Sequence, residues 1–246
     1  MLKMIGRAYR ESAATAVALP LLFALPVATE LIQHIIEYRA GMFASLEGMR
    51  AAGDDAGRMG FGQVKILSLI LLHYWVSRWL AYGRDPAHRV LGDRRSAALF
   101  LWVVLLDVGV GLVQQFGGGL LAPYVPERTL IALGIALFLF TLVLALYLVA
   151  WKVGAALGNP RLTIPASFRL MHGNFWWSLV FYVAMFLPVM VAHYALNIVA
   201  VGKPAGLAWV ILGADALLVG YLGLLLATTA FLIAERAATR GGTTLT

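Results

Sequence analysis

Three side chains near the start of the chain have the types and spacing of a chemical site. Glu30, His34 and Glu37 are separated by four and then three residues, which places them on one face of an α-helix. Carboxylate and imidazole groups can pair with each other, carry a proton or bind zinc or iron. Nothing in the sequence fixes the distances between such ligands, so neither a metal site nor a cofactor is predicted.

More ionisable side chains lie inside apolar segments further along the chain. His73 is about eleven residues into one segment, or ~16 Å along a helix, and Asp107 and Asp215 are central in two others. In a lipid bilayer, a charge at the centre costs at least ~2.5 kcal/mol unless it is compensated. We therefore expect these groups to converge in a polar interior. The candidate cluster comprises Glu30, His34, His73, Arg78, Asp107, His193, Asn197 and Asp215.

Three roles for this cluster are open. Its members can pair with one another and lock helix packing, they can line a cavity for a lipid headgroup, small solute or proton, or Glu and His can bind a metal ion. Glu30 and His34 are expected to face protein, because lipid would not tolerate them. Arg78 can neutralise Asp107 or extend towards the cytoplasmic side.

The two aspartates give the sharpest geometric prediction. At least one of Asp107 and Asp215 is expected within hydrogen-bonding reach of one of three basic side chains, His73, Arg78 and His193. The same aspartates are the only pair that an intramembrane aspartyl protease could use, but their flanking residues do not support that activity.

Motifs for established chemistry are absent. The chain has no G-x-S-x-G elbow, H-E-x-x-H pair, P-loop or G-x-G-x-x-G fingerprint in a suitable context. It has no cysteine, which excludes disulfides, thiolate nucleophiles and iron–sulfur clusters. No catalytic residue is predicted, and an enzymatic function is disfavoured.

Composition indicates the elements that must position the cluster. Of the residues, 61% are hydrophobic and 13% are charged, far from the soluble average. The apolar residues occur in runs of about 20 without strand-like alternation, which predicts an all-α polytopic membrane protein, a single bundle of about six transmembrane helices with short interfacial helices. The predicted spans are 13–38, 62–83, 97–116, 129–151, 175–200 and 206–234.

Basic residues between the spans predict the orientation. Twelve Lys and Arg residues fall on one side, including Arg84 and Arg89, and six on the other, including Arg58 and Lys65. The richer side is cytoplasmic, so both termini are expected there. Glu37 is then near the outer interface, in contact with water. The net charge of +7 reflects this arrangement and not nucleic-acid binding.

Two connecting segments and two small-residue stripes complete the pattern. Residues 40–61 and 165–174 mix apolar and polar residues at helical spacing, which predicts short helices at the interfaces. Gly109 and Gly111 in the third span, and Gly213, Gly220 and Gly223 in the sixth, would allow close helix packing.

One stretch resembles a known family. Residues 166–180, Ala-Ser-Phe-Arg-Leu-Met-His-Gly-Asn-Phe-Trp-Trp-Ser-Leu-Val, are similar to the amphipathic start of a spanning helix in bacterial YciC-like membrane proteins and in the membrane domain fused to some glycerophosphodiester phosphodiesterases. The resemblance implies an inner-membrane protein without a catalytic motif. We predict a noncatalytic envelope or complex-forming component that handles lipid, with membrane lipids and a homo-oligomeric or membrane-protein partner. The alternative is a small transporter or channel with a polar intramembrane cavity.

Overall fold

The computed structural model describes residues 1–83 and 94–246, without the side chain of Asp54. Arg84 and Arg89, which the orientation count includes, lie outside the described residues. Every regular element in the described part of the chain is helical. The helices are α1 (Leu2–Ala18), α2 (Pro20–Arg39), α3 (Leu46–Ala51), α4 (Ala56–Tyr82), α5 (Arg94–Leu121), α6 (Glu127–Leu157), α7 (Ile164–His172), α8 (Phe175–Ala200) and α9 (Ala205–Arg240), with a 3-10 turn at Ala52–Asp54.

Six of these helices are long and apolar enough to cross a membrane. They are α2, α4, α5, α6, α8 and α9, and they contain between 20 and 36 residues each. At 1.5 Å per residue, 20 residues span the ~30 Å of a hydrocarbon core. The prediction of an all-α, multi-pass membrane protein is therefore confirmed.

The predicted beginning of the first span is wrong. The span 13–38 was expected to be continuous, but α1 ends at Ala18 and α2 begins at Pro20. Leu19 between them has φ −130° and ψ 62°, which is not helical. Proline disfavours a helical conformation in the residue before it, yet fits the first turn of a new helix. Pro20 therefore both ends α1 and allows α2 to begin.

Both predicted connecting segments contain a short helix with a side-chain cap. The Ser45 hydroxyl accepts a hydrogen bond from the Gly48 backbone N–H at the start of α3, and Thr163 does the same for Ala166 at the start of α7. The first segment does not simply lie on the surface, because Met42 and Phe43 are buried in a core cluster with Ala52, Ala200 and Leu212.

The chain forms two compact units. The first contains residues 1–76 and 181–229, and the second contains residues 77–180 and 230–246. In the first unit, Gly220 and Gly223 of α9 are sites of close packing: a Cβ atom at Gly220 would lie 2.4 Å from Cγ2 of Val27 in α2. Gly109 and Gly213 have open space at the same position, so only part of the predicted small-residue stripe serves helix contact.

Candidate functional site: a buried polar network

Two ion pairs join α2 to α4 in the first unit. Nζ of Lys65 lies 2.7 Å from Oε2 of Glu30, and Nε of Arg58 donates a hydrogen bond to Oε1 of Glu37 at 3.0 Å. The two acids are seven residues apart on α2 and the two cations are seven apart on α4, in the opposite order. That is the register of antiparallel neighbouring helices, in which side chains one heptad apart recur on the same face.

His34 connects this pair of helices to α9. Its Nδ1 lies 3.0 Å from Oε2 of Glu37, and its Nε2 lies 3.0 Å from Oδ2 of Asp215 and 3.6 Å from Oε1 of Glu30. Ionised carboxylates only accept hydrogen bonds, so both ring nitrogens must carry a proton for both bonds to form. We therefore assign His34 as an imidazolium.

Asp215 extends the network to α8. Its Oδ1 lies 2.8 Å from Nδ1 of His193, and its Oδ2 accepts a hydrogen bond from the Asn197 side-chain amide at 2.9 Å. The Asn197 amide also donates to the His193 backbone carbonyl, which fixes its orientation. Asp215 thus contacts donors from α2 and α8, and the four helices α2, α4, α8 and α9 meet through one hydrogen-bonded system.

Opposite charges are paired within the network. The carboxylates of Glu30, Glu37 and Asp215 lie against the cations Lys65 and Arg58 and against the imidazolium of His34. Charges at membrane depth are tolerated when they are paired and hydrogen-bonded, because desolvation is then offset by mutual attraction.

The central groups are excluded from solvent. The exposed fractions are 1% for Glu30, 0% for His34 and 0% for Asp215. Phe43, from the segment after α2, packs its ring against the His34 ring with centroids 6.0 Å apart. Tyr38 packs in turn against Phe43 and Trp209, and the Gly202 N–H donates to the Phe43 carbonyl. An aromatic layer therefore covers one side of the network.

These contacts test several predictions made from the sequence. Glu30 and His34 face protein, as predicted, and the predicted aspartate contact is confirmed by His193 and Asp215. Glu37 was expected in contact with water, but it is buried at 5% exposure because Arg58 and Gln33 both donate to its carboxylate.

Five members of the candidate cluster contact one another within the first unit. They are Glu30, His34, His193, Asn197 and Asp215. His73 belongs to the same unit.

Arg78 and Asp107 belong to the second unit and have separate partners there. Asp107 accepts two hydrogen bonds from Nζ of Lys152, at 2.6 and 2.8 Å, and not from Arg78. Arg78 donates to the Ala156 carbonyl at 3.0 Å and its guanidinium lies over the Tyr82 ring. Lys152 is one turn from the end of α6 and can reach back along the helix, which brings its ammonium group to Asp107.

The sequence interpretation missed three cations that pair with buried or half-buried acids, namely Lys65, Arg58 and Lys152. Each lies at the edge of an apolar run and was counted as a loop charge. The sequence did contain a signal for two of them, because Arg58 and Lys65 have the same seven-residue spacing as Glu30 and Glu37.

Part of the network has the spacing of metal ligands. One side-chain atom each from Glu30, His193 and Asp215 lies within 4.8 Å of the others. Carboxylate and imidazole ligands suit a divalent transition metal. The same carboxylates are already engaged by Lys65 and His34, so a cation at this point would compete with an ammonium group and an imidazolium.

Comparison with known proteins adds no relative. The chain matches no protein-family model, no curated protein and no solved structure.

Proposed function

We propose that this chain is a noncatalytic integral protein of the bacterial inner membrane, an envelope or complex-forming component whose polar network holds four helices in one arrangement. The observation that carries the proposal is that Glu30, His34 and Asp215 are buried and that each lies against a group of opposite charge. The resemblance to YciC-like proteins agrees with this role and stays a prediction.

The physical argument concerns specificity more than net stability. A buried ion pair gains little over a hydrophobic contact, but removing one partner leaves an uncompensated charge and is strongly destabilising. A network that links α2, α4, α8 and α9 therefore penalises every arrangement in which one helix is displaced. Such a bundle suits a component that presents a fixed surface to lipid or to a partner.

A second candidate is proton or small-solute transport. It is favoured by the unbroken sequence of titratable groups from Glu37 through His34 and Asp215 to His193, whose side chain is 13% exposed. Proton relays in transporters use such sequences of Asp, Glu and His. A transporter also requires that these groups exchange with water on both sides of the membrane.

One experiment separates the two functions. The full chain is reconstituted into liposomes that contain a pH-sensitive dye, and proton flux is measured under an imposed pH gradient. The proposed structural role predicts flux equal to that of protein-free liposomes. It also predicts that Asp215→Asn lowers the unfolding temperature in detergent, while Glu127→Gln, at an exposed acid outside the network, does not. Flux that Asp215→Asn abolishes in a folded protein would establish transport instead.

A further inference from the structure

A second feature of the molecule belongs to the second unit. It is a cavity of about 560 Å³, within the size range of small-ligand sites. Four segments line it: the start of α5, the connection from α6 to α7, α7 itself, and residues 241–246 after α9. By the predicted topology all four lie at the cytoplasmic ends of their spans.

The cavity concentrates positive charge. Arg95, Arg161 and Arg169 all line it, together with the polar side chains of Asn159 and Thr243. Within residues 1–83 and 94–246, none of the three arginines forms an ion pair with a carboxylate. All three are exposed, so water and salt screen their mutual repulsion, but their guanidinium groups are free of a carboxylate within these ranges and can donate to a bound anion.

The walls of the cavity are closely packed. Leu162 lies against Gly154 so tightly that a Cβ atom at the glycine would be 2.6 Å from Cβ of Leu162. Leu170 packs in the same way on Gly241, and the Asn159 side-chain amide donates to the Leu245 carbonyl at 3.1 Å. These contacts hold the connection, α7 and residues 241–246 together around the cavity.

Aromatic residues indicate the depth of this region. α7 leads directly into α8, whose first turn contains Trp176 and Trp177, and Trp176 is 74% exposed. The Arg236 guanidinium lies 4.3 Å from the centroid of the Trp177 ring. Tryptophan is enriched at the headgroup level of membranes, so a cavity beside this turn is at the height of phospholipid phosphates.

We propose that this cavity binds a phosphate group. Arginine suits phosphate because its planar guanidinium can donate two parallel hydrogen bonds to two phosphate oxygens. At the membrane surface the group can come from an anionic phospholipid headgroup or from a small soluble phosphate. The apolar lining residues Leu157, Leu162 and Leu170 beside the arginines match the junction of headgroup and acyl chain. This inference goes beyond the structural role proposed above and depends only on the membrane location.

The test compares two sets of three substitutions that remove the same charge. The cavity variant carries Arg95→Gln, Arg161→Gln and Arg169→Gln. The control carries Arg10→Gln, Arg39→Gln and Arg128→Gln, three exposed arginines that do not line the cavity. Each full-length protein is purified in an uncharged detergent, and its unfolding temperature is measured first, so that loss of binding is not confused with loss of the fold.

Two measurements distinguish a phospholipid headgroup from a soluble phosphate as the bound group. One measures binding of phosphatidylglycerol against phosphatidylcholine by native mass spectrometry, and the other measures binding of inorganic phosphate by calorimetry. We expect the cavity variant to lose binding roughly tenfold or more in at least one arm, equivalent to about 1.4 kcal/mol, with the control unchanged. Loss in the lipid arm alone assigns a headgroup, and loss in the phosphate arm assigns a soluble ligand. Equal binding by both variants and the wild type, or no binding in either arm, would overturn the proposal.

Discussion

Nζ of Lys65 lies 2.7 Å from Oε2 of Glu30, and these two groups form an ion pair between α2 and α4. Thr29 and Ser68, whose hydroxyl oxygens are 3.2 Å apart, continue the same contact one step further along the two helices. The polar contacts between α2 and α4 therefore lie along one face of each helix. The apolar side chains on the other faces contact lipid or other helices. Removing one of these polar side chains should therefore weaken the contacts that its neighbours make.

Replacing Lys65 with methionine should reduce stability by about 3 kcal/mol, because Glu30 is 1% exposed and would lose its ion-pair partner at membrane depth. Adding Glu30→Gln should restore part of the loss, since it removes the unpaired charge. The measurement is reversible unfolding of the full chain in mixed micelles.

Lys203→Gln is the matched control, at an exposed lysine in the same unit. A Lys65→Met protein as stable as the Lys203→Gln protein would show that the ion pair contributes nothing. A double variant less stable than Lys65→Met alone would contradict the explanation by unpaired charge.

The sequence allowed the helical class and the acidic half of the network to be predicted, for different reasons. Apolar runs of span length are long and repetitive, so six helices follow from composition alone. Glu30, His34 and Asp215 are conspicuous because an ionisable group deep in an apolar run needs compensation. Lys65, Arg58 and Lys152 lie at the edges of runs, where the same residue types also mark orientation.

Other features could not be predicted because they depend on contacts between distant parts of the chain or on the conformation of a single residue. His73, Arg78 and His193 were the candidate partners for Asp107 by depth, yet Lys152 on α6 is its partner, because α5 and α6 are packed together. The break at Pro20 was missed since the residues on both sides have helical patterns, and only the conformation of Leu19 reveals it. The arginine cavity unites residues between 95 and 246, and no local pattern connects them.

The pair formed by Asp107 and Lys152 should behave as a unit. Lys152→Leu leaves a carboxylate without the ammonium group that donates both of its hydrogen bonds, and Asp107→Leu leaves an ammonium group without its acceptor. We expect each single variant to be expressed in membranes at a lower level than the double variant, in which no charge remains. Quantitative immunoblotting of the membrane fraction measures this. A double variant that is worse than both singles would indicate that the polar contact itself is required.

The orientation can be tested with a chain that has no natural cysteine. A single cysteine introduced as Glu47→Cys, on the segment between α2 and α4, should react with a membrane-impermeant maleimide in intact cells. Lys3→Cys and Thr246→Cys should react only after the cells are opened, because the excess of basic residues predicts that both ends are in the cytoplasm. Labelling at Glu47→Cys only after lysis would reverse the proposed orientation.

The close approach of α9 to α2 gives the last prediction. A Cβ atom at Gly220 would lie 2.4 Å from Cγ2 of Val27 and 3.0 Å from Cε2 of Phe23, so Gly220→Ala must displace a helix or force side chains from their rotamers. Such overpacking costs about 1–3 kcal/mol. Gly213→Ala, seven residues earlier on the same helix, meets no atom within 4 Å and should leave stability unchanged or slightly raised, since alanine favours helix over glycine. Both variants are compared by unfolding in the same detergent. Neither substitution changes a residue of the polar network. If the Gly220→Ala protein were as stable as the Gly213→Ala protein, α2 and α9 would not be held in close contact, and the rigid four-helix arrangement behind the proposed structural role would lose its main packing support.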